Sequence, residues 1–140
     1  MTSFDIFLAQ GDVKKTSPDI ELAKSLIKDM EERLDKSKLL DINVFPKIIF
    51  ENIYDALRDF CDAILALNGF KSYSHQASIY YLLKKGFDIS VVKELDQFRY
   101  KRNGSKYYGV PISVGEAKDI EQFYKRIKKK IDEVLKELLR

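Results

Sequence analysis

The last third of the chain has little choice of conformation. Ser113 and Glu116 are spaced as a capping box, in which each side chain accepts a hydrogen bond from the other residue's backbone amide at a helix start. Beyond them Ala117, Ile120, Tyr124, Ile127, Ile131, Val134 and Leu138 recur at spacings of three and four, a coiled-coil-like seam running to the C-terminus. Such a helix would be about 26 residues long, roughly 39 Å at 1.5 Å per residue. That is long for a chain of 140 residues, so it is expected to span the whole domain, with the other elements laid along it.

Those elements carry the same helical period. Ser17-Pro18 opens a first helix, with Ile20, Ala23, Ile27, Met30 and Leu34 on one face, that runs to about Lys38. Asp41–Pro46 reads as a turn. A second helix covers Pro46–Leu67 and stops at Asn68-Gly69. Its stripe of Ile49, Ile53, Ala56, Phe60, Ile64 and Leu67 is widened by Phe50, Tyr54, Leu57 and Leu65. A helix apolar over so much of its circumference is central, or shared with a second subunit. A third helix starts near Ser72 or Ser74 and ends at Lys85-Gly86, with Tyr73, Ala77, Tyr80 and Tyr81 on one side. A fourth, capped by Asp88 or Ser90, carries Val91, Leu95 and Phe98 and ends at Asn103, because Gly104 follows. Met1–Lys15 reads as a short helix or an extended arm, and equally as a packed arm or a frayed terminus. The expected fold is all-α, a four- to five-helix up-down bundle in a single domain over residues 1–140.

Hydrophobic residues make up 45% and charged residues 34% of the chain, which excludes a disordered class. The single cysteine, Cys61, excludes an intramolecular disulfide and reads as a small core residue. With one histidine, His75, and no cysteine cluster, no zinc site is expected. There is no P-loop, dinucleotide fingerprint or catalytic Ser/His/Asp grouping, so no cofactor is expected. No apolar run approaches the ~20 residues of a membrane span, and no leader pattern is visible, so a cytoplasmic protein without membrane contact is expected. A net charge of +3 does not by itself call for nucleic acid.

Local clustering says more. Between Arg99 and Tyr108 stand four basic residues, three tyrosines, Asn103 and no acid. Arg102 continues the apolar stripe of its helix. It reads either as a snorkelling side chain or as a guanidinium held to bind phosphate bidentately. Arg99 lies one turn earlier, and Lys101 and Lys106 are close by. Basic groups hold phosphate and rings stack on bases, so the patch with Tyr100, Tyr107 and Tyr108 suits RNA or nucleotide. Gly104–Pro111 is the expected functional loop. The Lys128–Lys130 run reads as a solvated helix face. His75 is a general base only if the fold brings it near Arg102.

Arg102-Asn103, three residues, and then Tyr107 resembles the signature of HEPN domains: arginine, often asparagine, and a histidine four to six residues on. The helical layout from about Phe45 to Leu138 is similar too, as are the segments GFKSYSHQASIYYL and LDQFRYKRNGSKYYG. The resemblance implies a metal-independent RNA-cleaving site formed where two subunits meet, often beside a minimal nucleotidyltransferase in a toxin–antitoxin pair. Carried over, Arg102 matches the arginine and Asn103 the polar residue after it. Tyr107 stands where the histidine would be, which makes Arg102 and Tyr107 the catalytic pair if activity survives.

The substitution matters chemically. Cleavage at a 2′-hydroxyl needs a base that accepts a proton near pH 7, as imidazole does. A phenol with a pKa near 10 donates a hydrogen bond but seldom takes that proton. The expected function is therefore RNA or nucleotide binding through Arg99, Arg102, Asn103, Lys106, Tyr107 and Tyr108, with weak or absent nuclease activity. The alternatives are an endoribonuclease toxin and a structural partner-binding module. A homodimer is expected from the broad apolar face around Phe50, Tyr54 and Phe60.

Overall fold

The computed structural model describes residues 3–139, and in chain order their elements are α1 (Ser3–Ala9), β1 (Val13–Lys15), α2 (Ile20–Ser37), α3 (Pro46–Leu67), β2 (Phe70–Ser72), α4 (His75–Tyr80), α5 (Ile89–Tyr108) and α6 (Val114–Leu138). A 3-10 turn, Tyr81–Lys85, extends α4. The expectation of a mostly helical chain holds. α3 is its axis. Pro46 occupies the first turn, where its missing amide costs nothing, and residues on nearly every side of the helix are buried. α2 runs antiparallel to it: the Asp19 amide donates to the Ala66 carbonyl at 2.9 Å, and Arg33 meets Asp59 at 3.1 Å. α5 is antiparallel too, pairing Arg102 with Asp55 and Ser105 with Glu51. α6 reverses again, with Lys101 near Glu116 and Arg126 near Glu94. The four long helices, α2, α3, α5 and α6, therefore alternate in direction.

The N-terminal arm is packed. Phe4 is buried against Phe70 and Tyr81, with ring centroids at 5.5 and 4.6 Å. β1 pairs antiparallel with β2, Val13 opposite Ser72 and Lys15 opposite Phe70. Strands of three residues carry too few side chains for an alternating pattern to be read. Gly69 precedes β2 at φ 76°, and a Cβ there would stand 2.7 Å from the Thr16 carbonyl oxygen. Only glycine allows that approach. Met1, Thr2 and Arg140, which the sequence reading assigned to the arm and the last helix, lie outside the described residues.

Several boundaries differ from expectation. α2 is capped by Asp19, whose carboxylate accepts from the Leu22 amide, and not by Ser17. Ile20 consequently sits at an exposed first turn. The third helix is short and tightens into 3-10 geometry before Gly86. In α6 Phe123 is fully buried and Tyr124 is half-buried, so the ring that fills the seam is the neighbour of the one expected. On α5 the buried stripe is Val92, Leu95, Phe98, Arg102 and Ser105, with Val91 partly exposed.

The largest correction concerns Gly104. The expected end of the helix at Asn103 is wrong, and of the expected loop from Gly104 to Pro111 only Gly109–Pro111 is connection, because α5 continues to Tyr108. Glycine weakens a helix interior by only about 1 kcal/mol relative to alanine, which packing overrides. The residue that stops α5 is Gly109, left-handed at φ 67°, whose amide donates to the Gly104 carbonyl. Phe50, Tyr54 and Phe60 are covered by the chain's own helices, so these side chains present no face to a second subunit.

The two glycines should respond oppositely to substitution. A Cβ on Gly104 meets only Val110, at an ordinary 3.6 Å. Gly104→Ala should therefore stabilise the fold by about 0.5–1 kcal/mol. Gly109→Ala should destabilise it by about 1 kcal/mol, because its backbone is left-handed. Urea denaturation of both variants checks the pair, and destabilisation by Gly104→Ala would restore the shorter helix.

Candidate functional site

α5 divides the Arg99–Tyr108 stretch between two faces. Five residues at 100° each put Arg102 and Tyr107 about 140° apart around the axis. Arg102 turns inward and is 8% exposed. Its guanidinium lies 3.2 Å from Asp55 and over the Tyr54 ring, 6.0 Å from the centroid. It does not snorkel. Its charge is stabilised by a carboxylate inside the fold, which offsets desolvation. Asp55 also approaches Arg33, at 3.7 Å. Burial pushes the Tyr54 phenol well above its ordinary value. The Tyr54 hydroxyl and Arg102 Nε are buried without a hydrogen-bond partner among the described residues.

His75 opens α4 beside this network. Burial first, and then the positive charges of Arg58, Arg102 and Arg99, lower its pKa to about 4, against a smaller opposing pull from Asp55. The fold therefore brings the single histidine into the field of Arg102, a placement the sequence left open. The same field makes it a weak base, because imidazole at such a pKa holds a proton poorly. Arg99 is held by Asp96 at 2.6 Å, and Asp96 also accepts from Gln76 at 3.1 Å.

The outward face is of a different kind. Tyr100, Tyr107 and Tyr108 are 76%, 62% and 84% exposed. They border a groove of about 580 Å³ between the last turns of α5, the 109–113 connection and the first turn of α6. Arg99, Asn103, Tyr107 and Tyr108, four of the six residues expected at the site, line it. Asn103 and Tyr107 are four residues apart and share this side. Lys106 stands at its edge, Nζ 5.4 Å from the Tyr107 centroid. Arg102 is absent from the lining, so the expected constellation is split. Val110, Pro111, Ile112 and Glu116 complete the walls; Val110 and Pro111 belong to the expected loop, whereas Ile112 and Glu116 were not expected there. For Glu116 the capping box was a usable signal, since it places the carboxylate on the first turn facing the connection.

Glu116 Oε1 accepts from the Ser113 amide at 3.1 Å, and Lys101 lies 3.6 Å from Oε2. The Ser113 amide, with help from Lys101, holds this carboxyl below its usual range. Elsewhere, Cys61 is buried, and burial pushes its thiol up. Lys128, in the lysine run, is exposed and pairs with Asp132 on its own helix. Among the described residues no cluster of three or more His, Cys, Asp or Glu could hold a metal ion. None of their helices is long and apolar enough to cross a membrane. No protein-family model, curated protein or solved structure matches the chain.

Two measurements test the inner network. Arg102→Ala leaves Asp55 with only the more distant Arg33 and should destabilise the fold by about 3 kcal/mol, visible in urea denaturation. A loss below about 1 kcal/mol would mean that the pair is solvated. The second concerns acid. The folded-state pKa of His75, about 4, lies below its unfolded value of 6.5. Between those values the unfolded chain binds the extra proton, so His75 makes stability fall as pH drops through that window. His75→Gln should therefore lose less Tm than wild type between about pH 7 and pH 4.5. Equal losses would place the imidazole in water.

Proposed function

We propose that the chain is a HEPN-like protein that binds RNA or nucleotide on the outward face of α5 and cleaves it weakly or not at all. The observation that carries this reading is the set of three exposed tyrosines beside a groove whose cations are Lys101 and Arg99, with Lys106 at its edge. Large rings left in water on a rigid helix are suited to stacking, and every base offers a π-face. Arg102 and Tyr107 face opposite ways, which argues against their acting on one phosphodiester within a chain. The HEPN resemblance supports the reading through Asn103 and Tyr107, which do share a side.

The endoribonuclease alternative has one observation in its favour, the placement of His75 in the field of Arg102. A homodimer and a minimal nucleotidyltransferase partner belong to the same resemblance. Either surface would have to use side chains other than Phe50, Tyr54 and Phe60, which are covered.

Arg102→Ala is a poor probe because it removes a structural ion pair. Tyr107→Ala changes an exposed ring and should leave the fold intact. With labelled single-stranded RNA in EDTA, wild type should bind without cutting and should weaken as salt rises. Tyr107→Ala should bind roughly 5- to 100-fold less tightly, the loss of one stacked base. EDTA-resistant cleavage abolished by His75→Gln would move the endoribonuclease reading to first place. Absence of both binding and cleavage would leave the partner-binding module.

A further inference from the structure

We propose that the groove selects guanine, with Lys101 and Glu116 reading the base edge and the tyrosines stacking on its plane. This inference rests on the RNA- or nucleotide-binding reading and adds the base. Its starting point is the one carboxylate in the groove, Glu116, which caps α6 and pairs with Lys101. Like charge repels phosphate, so toward a ligand this carboxylate favours hydrogen-bond donors, since an ionised carboxylate accepts hydrogen bonds and donates none.

Glu116 is fixed in place. Ser113 Oγ accepts from the Glu116 amide at 3.0 Å, and Oε1 accepts from the Ser113 amide at 3.1 Å. Ser113 and Lys101 occupy part of the roughly four acceptor directions of the carboxylate, and no further partner stands on it among the described residues. Lys101 Nζ lies 3.6 Å from Oε2. The two side chains thus present a row of one donor followed by two acceptors. The Watson–Crick edge of guanine is the complement: the O6 acceptor, then the N1–H and N2–H donors. Cytosine sets its N3 acceptor against the carboxylate in either direction, and adenine has only one donor group, its amino group, for the two carboxylate oxygens. Uracil offers one imino donor between two carbonyls, one of which would face the carboxylate. Only guanine satisfies the row in full. Wrong bases leave charged groups desolvated without a partner, which is where discrimination arises.

Glu116→Gln provides the test, because glutamine also serves at this capping-box position and the start of α6 should survive. The variant exchanges one acceptor oxygen for a donor and removes the charge. Five-residue uridine oligonucleotides with G, A, C or U at the centre would be titrated into wild type and variant. Tyrosine emission reports binding, since the chain has eight tyrosines and no tryptophan. Wild type should bind the G oligonucleotide roughly tenfold or more tightly than the others, as one well-made bidentate base contact allows. Glu116→Gln should erase that preference while its Tm stays near wild type and its affinity for the A, C and U oligonucleotides is kept or raised. Equal wild-type affinities, or a G preference that survives in Glu116→Gln, would overturn guanine selection and leave RNA binding standing. Failure of all four oligonucleotides to bind would overturn the RNA-binding reading itself.

Discussion

α3 is dry over most of its circumference, and its one polar stripe governs how its neighbours sit. Glu51, Asp55, Asp59 and Asp62 follow each other along that stripe, and each finds a partner. Ser105 of α5 donates to Glu51, Arg102 pairs with Asp55, and Arg33 of α2 pairs with Asp59 and approaches Asp55. Asp62 meets Arg58 on its own helix and is hydrogen-bonded by Ser78 of α4. Apolar contact alone would leave each helix free to slide and rotate against α3 at small cost, since packed cores tolerate many arrangements of similar volume. Half-buried carboxylates do not allow that freedom. A rotation that leaves one without its cation strands a charge in a poor solvent.

The rotation of α5 is where this matters for the proposed site. With Arg102 turned onto Asp55 and Ser105 onto Glu51, positions 100, 103 and 107 must face away from α3. The outward tyrosines and the groove they border are thus consequences of the inward pair. Gly109 then ends the helix, and the connection to α6 folds back as Val110, Pro111 and Ile112, placing Glu116 opposite Lys101. The capping box completes the arrangement, because the bonds that start α6 also fix the carboxylate in the groove.

Much of this was readable in the residues. The apolar spacing located the long helices, and the Ser113–Glu116 pair located the last one to the residue. The interest of Arg99–Tyr108 was equally visible, since it packs four cations and three tyrosines into ten residues with no acid. What was hidden depended on partners distant in sequence. The role of Arg102 is decided by Asp55, forty-seven positions away, and helical spacing cannot rank a buried ion pair against a snorkelling side chain. Gly104 misled because glycine after asparagine is a helix stop only when the backbone turns left-handed, and tertiary contacts decided that at Gly109 instead. The small sheet was invisible because its strands join chain segments nearly sixty residues apart with three residues each.

The inward pair also bears on whether such a chain could cleave RNA. For Arg102 to grip a phosphate it would have to leave Asp55, and Asp55 would keep only Arg33, at 3.7 Å. The ring of Tyr54 would lose the cation above it. Removing one member of a buried pair costs about 3–5 kcal/mol, and a single phosphate contact on the surface returns less than that. A ligand that recruited Arg102 would therefore need to supply most of the difference from other contacts, or bind where Asp55 is already neutralised. The outward groove asks nothing of the kind. Its tyrosines and lysine are available without breaking any contact that holds α5 to α3, so the proposed nucleic-acid ligand would meet the face toward solvent at least cost.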